Sequence, residues 1–171
     1  MATNHSQRAN VLWAATKRAV LASIRSVRGA HPAERLCGYA LLTDDNLRTI
    51  GYAACTEEQV ASCGVRNARF EPVEWTYCEG AEAFDEVREL LVASADAAKG
   101  PEEQATHVGE AFGTLVEALR QARLEGALGE DVFLTVISTD PNERLLGLEA
   151  AAVEALNSKQ LFVRWRDGVV R

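Results

Sequence analysis

Acidic and aromatic residues are interleaved in the segment 69–78, RFEPVEWTYC. If this segment is a strand, Glu71, Trp75 and Tyr77 point to one face, and Glu74 points to the other. Trp and Tyr surrounded by carboxylates are typical of a binding hot spot for a basic ligand. The alternative is a core tryptophan with solvated neighbours, since Trp is usually well buried. These four residues are the first candidates for a partner-binding site.

Two further carboxylates, Asp44 and Asp45, directly follow an apolar run. Asp and Asn side chains form hydrogen bonds with nearby backbone groups in turns, so a turn is the preferred interpretation of the segment 44–46. The alternative is that the two aspartates are acidic contact points for a partner. With Glu74, the two aspartates also motivate an alternative, in which the chain is an acid-dependent hydrolase of unrecognised type. A general acid would need a raised pKa, which sequence alone does not reveal.

One helical face could ligate a metal, because Glu103, His107 and Glu110 follow one another at offsets of four and three. A di-iron bundle would need the ExxH spacing and more ligands from other helices. A solvated helix face is therefore the better interpretation. Fingerprints for dinucleotides, phosphate loops, nucleophile elbows and zinc helices are missing from the sequence. We predict no catalytic residue, no metal and no cofactor, and we favour a binding protein over an enzyme.

The four cysteines are too far apart for a close zinc-binding pair. The N-terminus, MATNHSQRAN, is polar where a secretory signal would be apolar. We therefore expect a cytoplasmic protein whose cysteine thiols are reduced. Free cysteines are often buried, so we expect core or half-buried positions for all four cysteines, which are Cys37, Cys55, Cys63 and Cys78.

Charge is distributed unevenly along the 171 residues, whose net charge is −7. Residues 1–36 carry +5 and residues 157–171 carry +3, so residues 37–156 carry −15. Nucleic-acid binding needs clustered Lys and Arg, so this charge pattern predicts no nucleic-acid partner. An acidic surface attracts a basic protein instead, although many proteins are acidic for solubility alone.

Hydrophobic periodicity predicts an α+β protein of one domain, 1–171. Residues 6–28 form a basic amphipathic helix, whose charged face we expect to meet solvent or the acidic body rather than a membrane. Residues 36–43 and 47–55 predict a β-hairpin. Thr56 to Gln59 match a capping box that opens a short helix.

Later segments predict two helices, 81–98 and 101–125, separated by Lys99-Gly100-Pro101. Residues 131–138 are apolar throughout and predict a central strand covered on both faces. Asp140 is the expected cap of a helix that reaches Leu156. The tail alternates, so 158–171 predicts an exposed edge strand. Together with a strand at 69–78, these elements predict a mainly antiparallel sheet, a hairpin with two or three further strands, and helices on one face.

Several segments together resemble the bacterial family catalogued as domain of unknown function 4303. They are YALLTDDNLRTIGYAACTEEQ (39–59), RFEPVEWTY (69–77), LEGALGEDVFLTVISTDPNE (124–143) and Ala155-Leu156-Asn157, in an order that spans most of 36–157. The resemblance implies a small bacterial protein and carries no catalytic residue over. It also implies a likeness in size and layout to immunity proteins that neutralise toxins. We therefore expect a non-enzymatic immunity or antitoxin protein with a basic toxin as partner; a regulatory binding module is a further alternative.

Overall fold

A mixed three-stranded sheet with the order β2–β1–β3 forms the centre of the fold, in a computed structural model that describes residues 2–64 and 67–169. Strands β1 (Leu36–Thr43) and β2 (Ile50–Thr56) form the predicted antiparallel hairpin. Strand β3 (Phe133–Ser138) pairs with β1 in parallel. The α+β class is confirmed, but a mainly antiparallel sheet is wrong. The connection from β2 to β3 contains several helices, and a long helical connection can bring a strand back in the parallel direction.

Strand β3 lies at the edge of the sheet and not at its centre. Its free edge is covered by side chains: Asn157 accepts a hydrogen bond from Leu134 N at 2.8 Å and donates one to Leu134 O at 2.7 Å. Glu149 accepts another from Ser138 N at 2.6 Å. These contacts satisfy backbone groups that a further strand would otherwise pair with, so an edge strand can be as apolar as a central one.

Six α-helices occur in the described residues, and side chains cap the starts of the second and the fifth. Thr56 accepts a hydrogen bond from Gln59 N at 3.2 Å, which is one half of the predicted capping box. The other half is wrong, because the Gln59 side chain donates a hydrogen bond to Thr76 and does not reach back to Thr56. The cap of the fifth helix is Asn142 instead of Asp140. The helices are α1 (Ala2–Ala30), α2 (Glu57–Ser62), α3 (Asp85–Ala97), α4 (Pro101–Leu124), α5 (Glu143–Leu156) and α6 (Lys159–Val169).

Both faces of the sheet are covered, so the expectation of helices on one face is wrong. Tyr39 and Leu41 of β1 belong to the core that includes residues of α1, α3 and α4. Ala40, between them, belongs to a second core with Phe70, Trp75 and Leu161 of α6. Because successive residues of a strand point to opposite faces, the complete burial of all three β1 residues requires two layers.

The segment 69–78 is not a strand. It contains two 3₁₀ turns, Ala68–Phe70 and Pro72–Glu74, and only Tyr77 forms a bridge, to Ala54 of β2. Proline has no backbone N–H and a fixed φ, which suits the start of a 3₁₀ turn better than a strand interior. The alternation of residue types in this segment was therefore misleading.

The C-terminal tail is helix α6 and not an edge strand; residues 170–171 lie outside the described residues. Leu161 is buried against the second core, and the rings of Phe162 and Trp165 contact each other at 5.8 Å. This i, i+3 contact is characteristic of a helix, and it outweighs the period-two alternation that predicted a strand.

The basic face of α1 contacts the acidic body of the same chain, as one of the two expectations had it. Lys17 pairs with Glu125 at 2.8 Å, and Arg18 pairs with Glu86 at 2.9 Å. Such partly exposed pairs each contribute about 0–1 kcal/mol, so the apolar face of α1 contributes most to its attachment. None of the helices among the described residues is long and apolar enough to cross a membrane.

Candidate functional site

The predicted partner-binding residues do not form one patch. The indole of Trp75 lies against Gly38 near the start of β1, whereas Asp44 follows the end of that strand. At about 3.3 Å per residue, the two sites are about 20 Å apart. The structure therefore separates the aspartates from the acidic and aromatic segment.

Trp75 is a core residue in this structure, since only 7% of its surface is exposed. Its Nε1 donates a hydrogen bond to Ala68 O at 2.7 Å, and its ring meets Phe133 edge-on with 6.4 Å between centroids. Glu74 is exposed beside it, and Glu71 is half-buried. In this conformation the indole is not available to a partner, which matches the alternative of a core tryptophan with solvated neighbours.

Asp44 shapes the turn between β1 and β2. Its Oδ1 accepts hydrogen bonds from Asn46 N at 3.2 Å and from Arg48 N at 2.8 Å. Asp45, next to it, is half-buried and accepts a hydrogen bond from the side chain of Asn46. These are the bonds of a turn-forming aspartate. Because Glu74 lies near the other end of the sheet, the carboxylates of the hydrolase hypothesis are not brought together.

Tyr77 belongs to a carboxylate–histidine cluster that also contains His31, Glu34 and Glu79. The imidazole of His31 stacks on the Tyr77 ring at 3.9 Å, and its Nε2 lies 2.8 Å from Glu79 Oε1. Hydrogen bonds donated by Thr56 and Tyr77 lower the pKa of Glu34. The cluster connects the loop after α1 to the end of β2, and its groups largely satisfy one another. Tyr77 and Glu79 lie far from His31 in the chain, so residue spacing alone does not indicate this cluster.

A groove between α1, α3 and the first half of α4 is a candidate site, with a volume of about 800 Å³. We call it the helical groove. Small apolar side chains and carboxylates predominate among the residues that line it: Gln7, Ala9, Val11, Leu12, Leu90, Ala93, Ser94, Ala97, Ala98, Glu102, Glu103, Thr106, His107, Glu110, Ala111 and Thr114. The helical face considered above as a metal site is therefore one wall of this groove. In the part of the chain that the structure describes, no group of acidic, His or Cys side chains could hold a metal ion.

His107 is the most buried polar residue of the helical groove, with 6% of its surface exposed. Its Nδ1 lies 3.0 Å from Ser94 Oγ, while its Nε2 has no hydrogen-bond partner among the described residues. Burial lowers the pKa of the imidazole, and this effect exceeds that of the backbone groups of Asn46 and Leu47, which raise the pKa. Because the neutral form is favoured, the histidine adds little positive charge to the groove.

The rim of the helical groove is acidic. Glu102 and Glu103 lie in the first turn of α4, where carboxylates interact favourably with the helix dipole. Glu103 Oε2 accepts a hydrogen bond from Lys99 N at 2.6 Å. Among the described side chains that line the groove, none is Lys or Arg. Val11, 46% exposed on the α1 wall, supplies apolar surface next to this charge.

The residue types of the helical groove suit an α-helix. A helix with its side chains is about 10–12 Å wide, and helices approach to about 8–10 Å where the contacting residues are small. The walls carry alanines at positions 9, 93, 97, 98 and 111. An amphipathic helix could place its apolar stripe on these alanines and its basic residues against the rim. The site was not predicted from the sequence, because it depends on how α1 packs near α3 and α4.

A family model with the description "Domain of unknown function (DUF4303)" matches residues 16–158, and the chain belongs to this family. The match covers most of the chain and confirms the resemblance inferred from its segments. No curated protein and no solved structure matches the chain significantly.

Proposed function

Starting from this membership, we propose that the chain is a non-enzymatic protein-interaction domain that binds a basic partner through the helical groove. In biological terms, we propose an immunity or antitoxin protein of the bacterial cytoplasm, which binds a toxin domain and neutralises it. The observation that carries the proposal is an apolar groove with a glutamate rim and, among its described lining residues, no basic side chain.

Charge favours a basic occupant. Residues 37–156 carry −15, and the glutamates of the rim belong to this acidic region. Long-range attraction accelerates the encounter of oppositely charged proteins, and complementary charges exclude acidic partners. Apolar contact with Val11 and the groove alanines then supplies affinity that charge alone does not give. The occupant that fits both features is an amphipathic helix with Lys or Arg along its polar side.

A labelled model helix of Leu and Lys tests the groove by fluorescence anisotropy at low salt. Glu102→Arg should weaken its binding roughly 5- to 30-fold, because reversing a rim charge changes the binding free energy by about 1–2 kcal/mol. Val11→Asp should weaken it by removing apolar contact. Glu154→Arg is the matched control, since Glu154 is exposed on α5 outside the groove and the net charge changes equally.

Two results would contradict the groove as the binding site. One is equal binding of a Leu and Glu helix, which would mean that charge does not select the partner. The other is equal weakening by Glu102→Arg and Glu154→Arg, which would place the effect in the overall charge of the protein.

The toxin-neutralising role needs a separate experiment. We expect the neighbouring upstream gene to encode a toxin domain that forms a complex with this protein and whose activity the complex blocks. Glu102→Arg should weaken that complex and restore toxicity in co-expressing cells, whereas Glu154→Arg should not. If the neighbouring protein neither binds nor harms cells, the immunity role is wrong, whatever the result with the model helix.

A further inference from the structure

Cys37 and Cys55 lie side by side in the second core, each with 1% of its surface exposed. The register of the hairpin shifts between Leu36 and Gly38, and this β-bulge leaves Cys37 as an extra residue opposite the end of β2. As a result, the two Sγ atoms are 3.5 Å apart. A disulfide requires about 2.05 Å between sulfurs, so the thiols need to approach by only about 1.5 Å.

The two thiols are not equivalent. A hydrogen bond from the Cys55 thiol, helped by the nearby Arg69 guanidinium, lowers the pKa of Cys37, while the same bond raises the pKa of Cys55. Cys37 is thus the thiol that ionises first. The thiolate is the nucleophilic form of cysteine, and a neighbouring thiol can resolve its oxidised product.

Arg69 connects this pair to the protein surface. Its guanidinium, which acts on Cys37, also pairs with Glu57 and lines a surface pocket of about 480 Å³. Asn67 and Arg164 are among the other polar residues of that pocket. A small polar oxidant that enters it therefore arrives at the cationic group that lowers the pKa of the Cys37 thiol.

We propose that Cys37 and Cys55 form a dithiol site that hydrogen peroxide oxidises, with Cys37 as the attacking thiol and Cys55 as the resolving one. The Cys37 thiolate attacks one oxygen of the peroxide, the O–O bond breaks, and the other oxygen leaves as hydroxide and takes up a proton to become water. Cys37 is then a sulfenic acid. The Cys55 sulfur attacks it, the S–O bond breaks, and a second water leaves with the thiol proton. Two thiols and one peroxide give one disulfide and two waters. This site is independent of the function proposed for the helical groove.

The expectation of core or half-buried cysteines is wrong for Cys63 and Cys78, which are exposed. The test uses a Cys63→Ser, Cys78→Ser background, because these two thiols would react first. The folded protein is treated with hydrogen peroxide, the excess is removed with catalase, and the protein is then unfolded in an alkylating agent and weighed. We expect loss of two hydrogens, no alkylation, a Cys37–Cys55 cross-linked peptide, and reversal by dithiothreitol. The proposal is overturned if both cysteines remain alkylatable, or if they oxidise only when urea is present during the peroxide step.

Single variants in the same background test the assigned roles. Cys55→Ser should trap the Cys37 sulfenic acid, detected as a dimedone adduct. Cys37→Ser should leave Cys55 oxidising more slowly than Cys37 does in Cys55→Ser, because burial still raises the pKa of the Cys55 thiol. Arg69→Gln should slow oxidation, whereas Arg164→Gln, in the same pocket, should not. Thermal melts identify any variant that does not fold. Equal reactivity of Cys55 and Cys37 in the folded single variants would overturn the assignment.

Discussion

Replacing Trp75 by alanine measures how much the second core depends on this side chain. The indole is 7% exposed, lies against Gly38 and donates a hydrogen bond to Ala68 O. Truncation of a buried aromatic residue costs about 3–5 kcal/mol, because the apolar contacts are lost and a cavity remains. In a protein of 171 residues, each kcal/mol lowers the melting temperature by roughly 2–4 °C. The expected drop is therefore about 6–20 °C.

Circular dichroism melts and urea titrations provide the measurement. Val73→Ala is the matched control, since Val73 belongs to the same segment but is 70% exposed. Its free energy of unfolding should change by no more than about 0.5 kcal/mol. Trp75→Ala should still bind the Leu and Lys model helix at temperatures where it is folded, because Trp75 lies in the core on the other side of the sheet from α1, α3 and α4.

The reasoning is refuted if Trp75→Ala melts within about 2 °C of the wild type. If such a stable variant also lost binding of a basic partner, the indole would act as an interface anchor, and the segment 69–78 would have to rearrange on binding.

Three further predictions follow from individual contacts. Gly38→Ala should lower the free energy of unfolding by about 1–3 kcal/mol in urea titrations, because its new methyl group would lie 2.6 Å from the indole of Trp75. Gly51→Ala is the control and should be tolerated, since its methyl group would have no such neighbour within 4 Å; equal losses in the two variants would contradict this packing. Asn157→Ala should cost about 2 kcal/mol or more, since it leaves buried backbone groups of β3 unpaired; an unchanged urea midpoint would show that the edge is satisfied otherwise. Burial lowers the pKa of His107 from 6.5, so its contribution to the free energy of unfolding should be fully present above pH 6.5 and decline as the pH falls below that value. His107→Gln should flatten this decline in urea titrations at several pH values. The same pH dependence in wild type and variant would contradict the prediction.

Sequence predicted those parts of the fold that depend on neighbouring residues. The buried face of α1, with Leu12, Ala19 and Ile24 among its members, follows the helical period closely. The hairpin follows from two β-compatible runs joined by Asp44, whose side chain stabilises the turn. Thr56 caps α2 because its hydroxyl is within reach of the first helical turn.

Sequence did not predict features that depend on distant contacts. The direction of β3 depends on where the preceding helices return the chain to the sheet. Asn157 covers the free edge of β3, so this edge strand can be as apolar as a central strand, and composition alone does not distinguish the two positions. The segment containing Trp75 follows its hydrogen bond to Ala68 and the 3₁₀ turn at Pro72 instead of its alternating pattern. The helical groove is a product of helix packing, so the glutamates around His107 gave only an indirect indication of it.

The central position of β1 has a consequence for the newly synthesised chain. Residues 38–43 of β1 pair with β2 across a short turn, but their β3 partners, such as Phe133 for Gly38, follow 95 residues later. At about 5–20 residues per second, the ribosome needs roughly 5–20 s to deliver that partner. During this interval the hairpin can form, because its contacts are local, while the other edge of β1 has no strand to pair with. The apolar run around Leu41 is thus the part of the nascent protein most exposed to edge-to-edge association, until β3 and then Asn157 arrive.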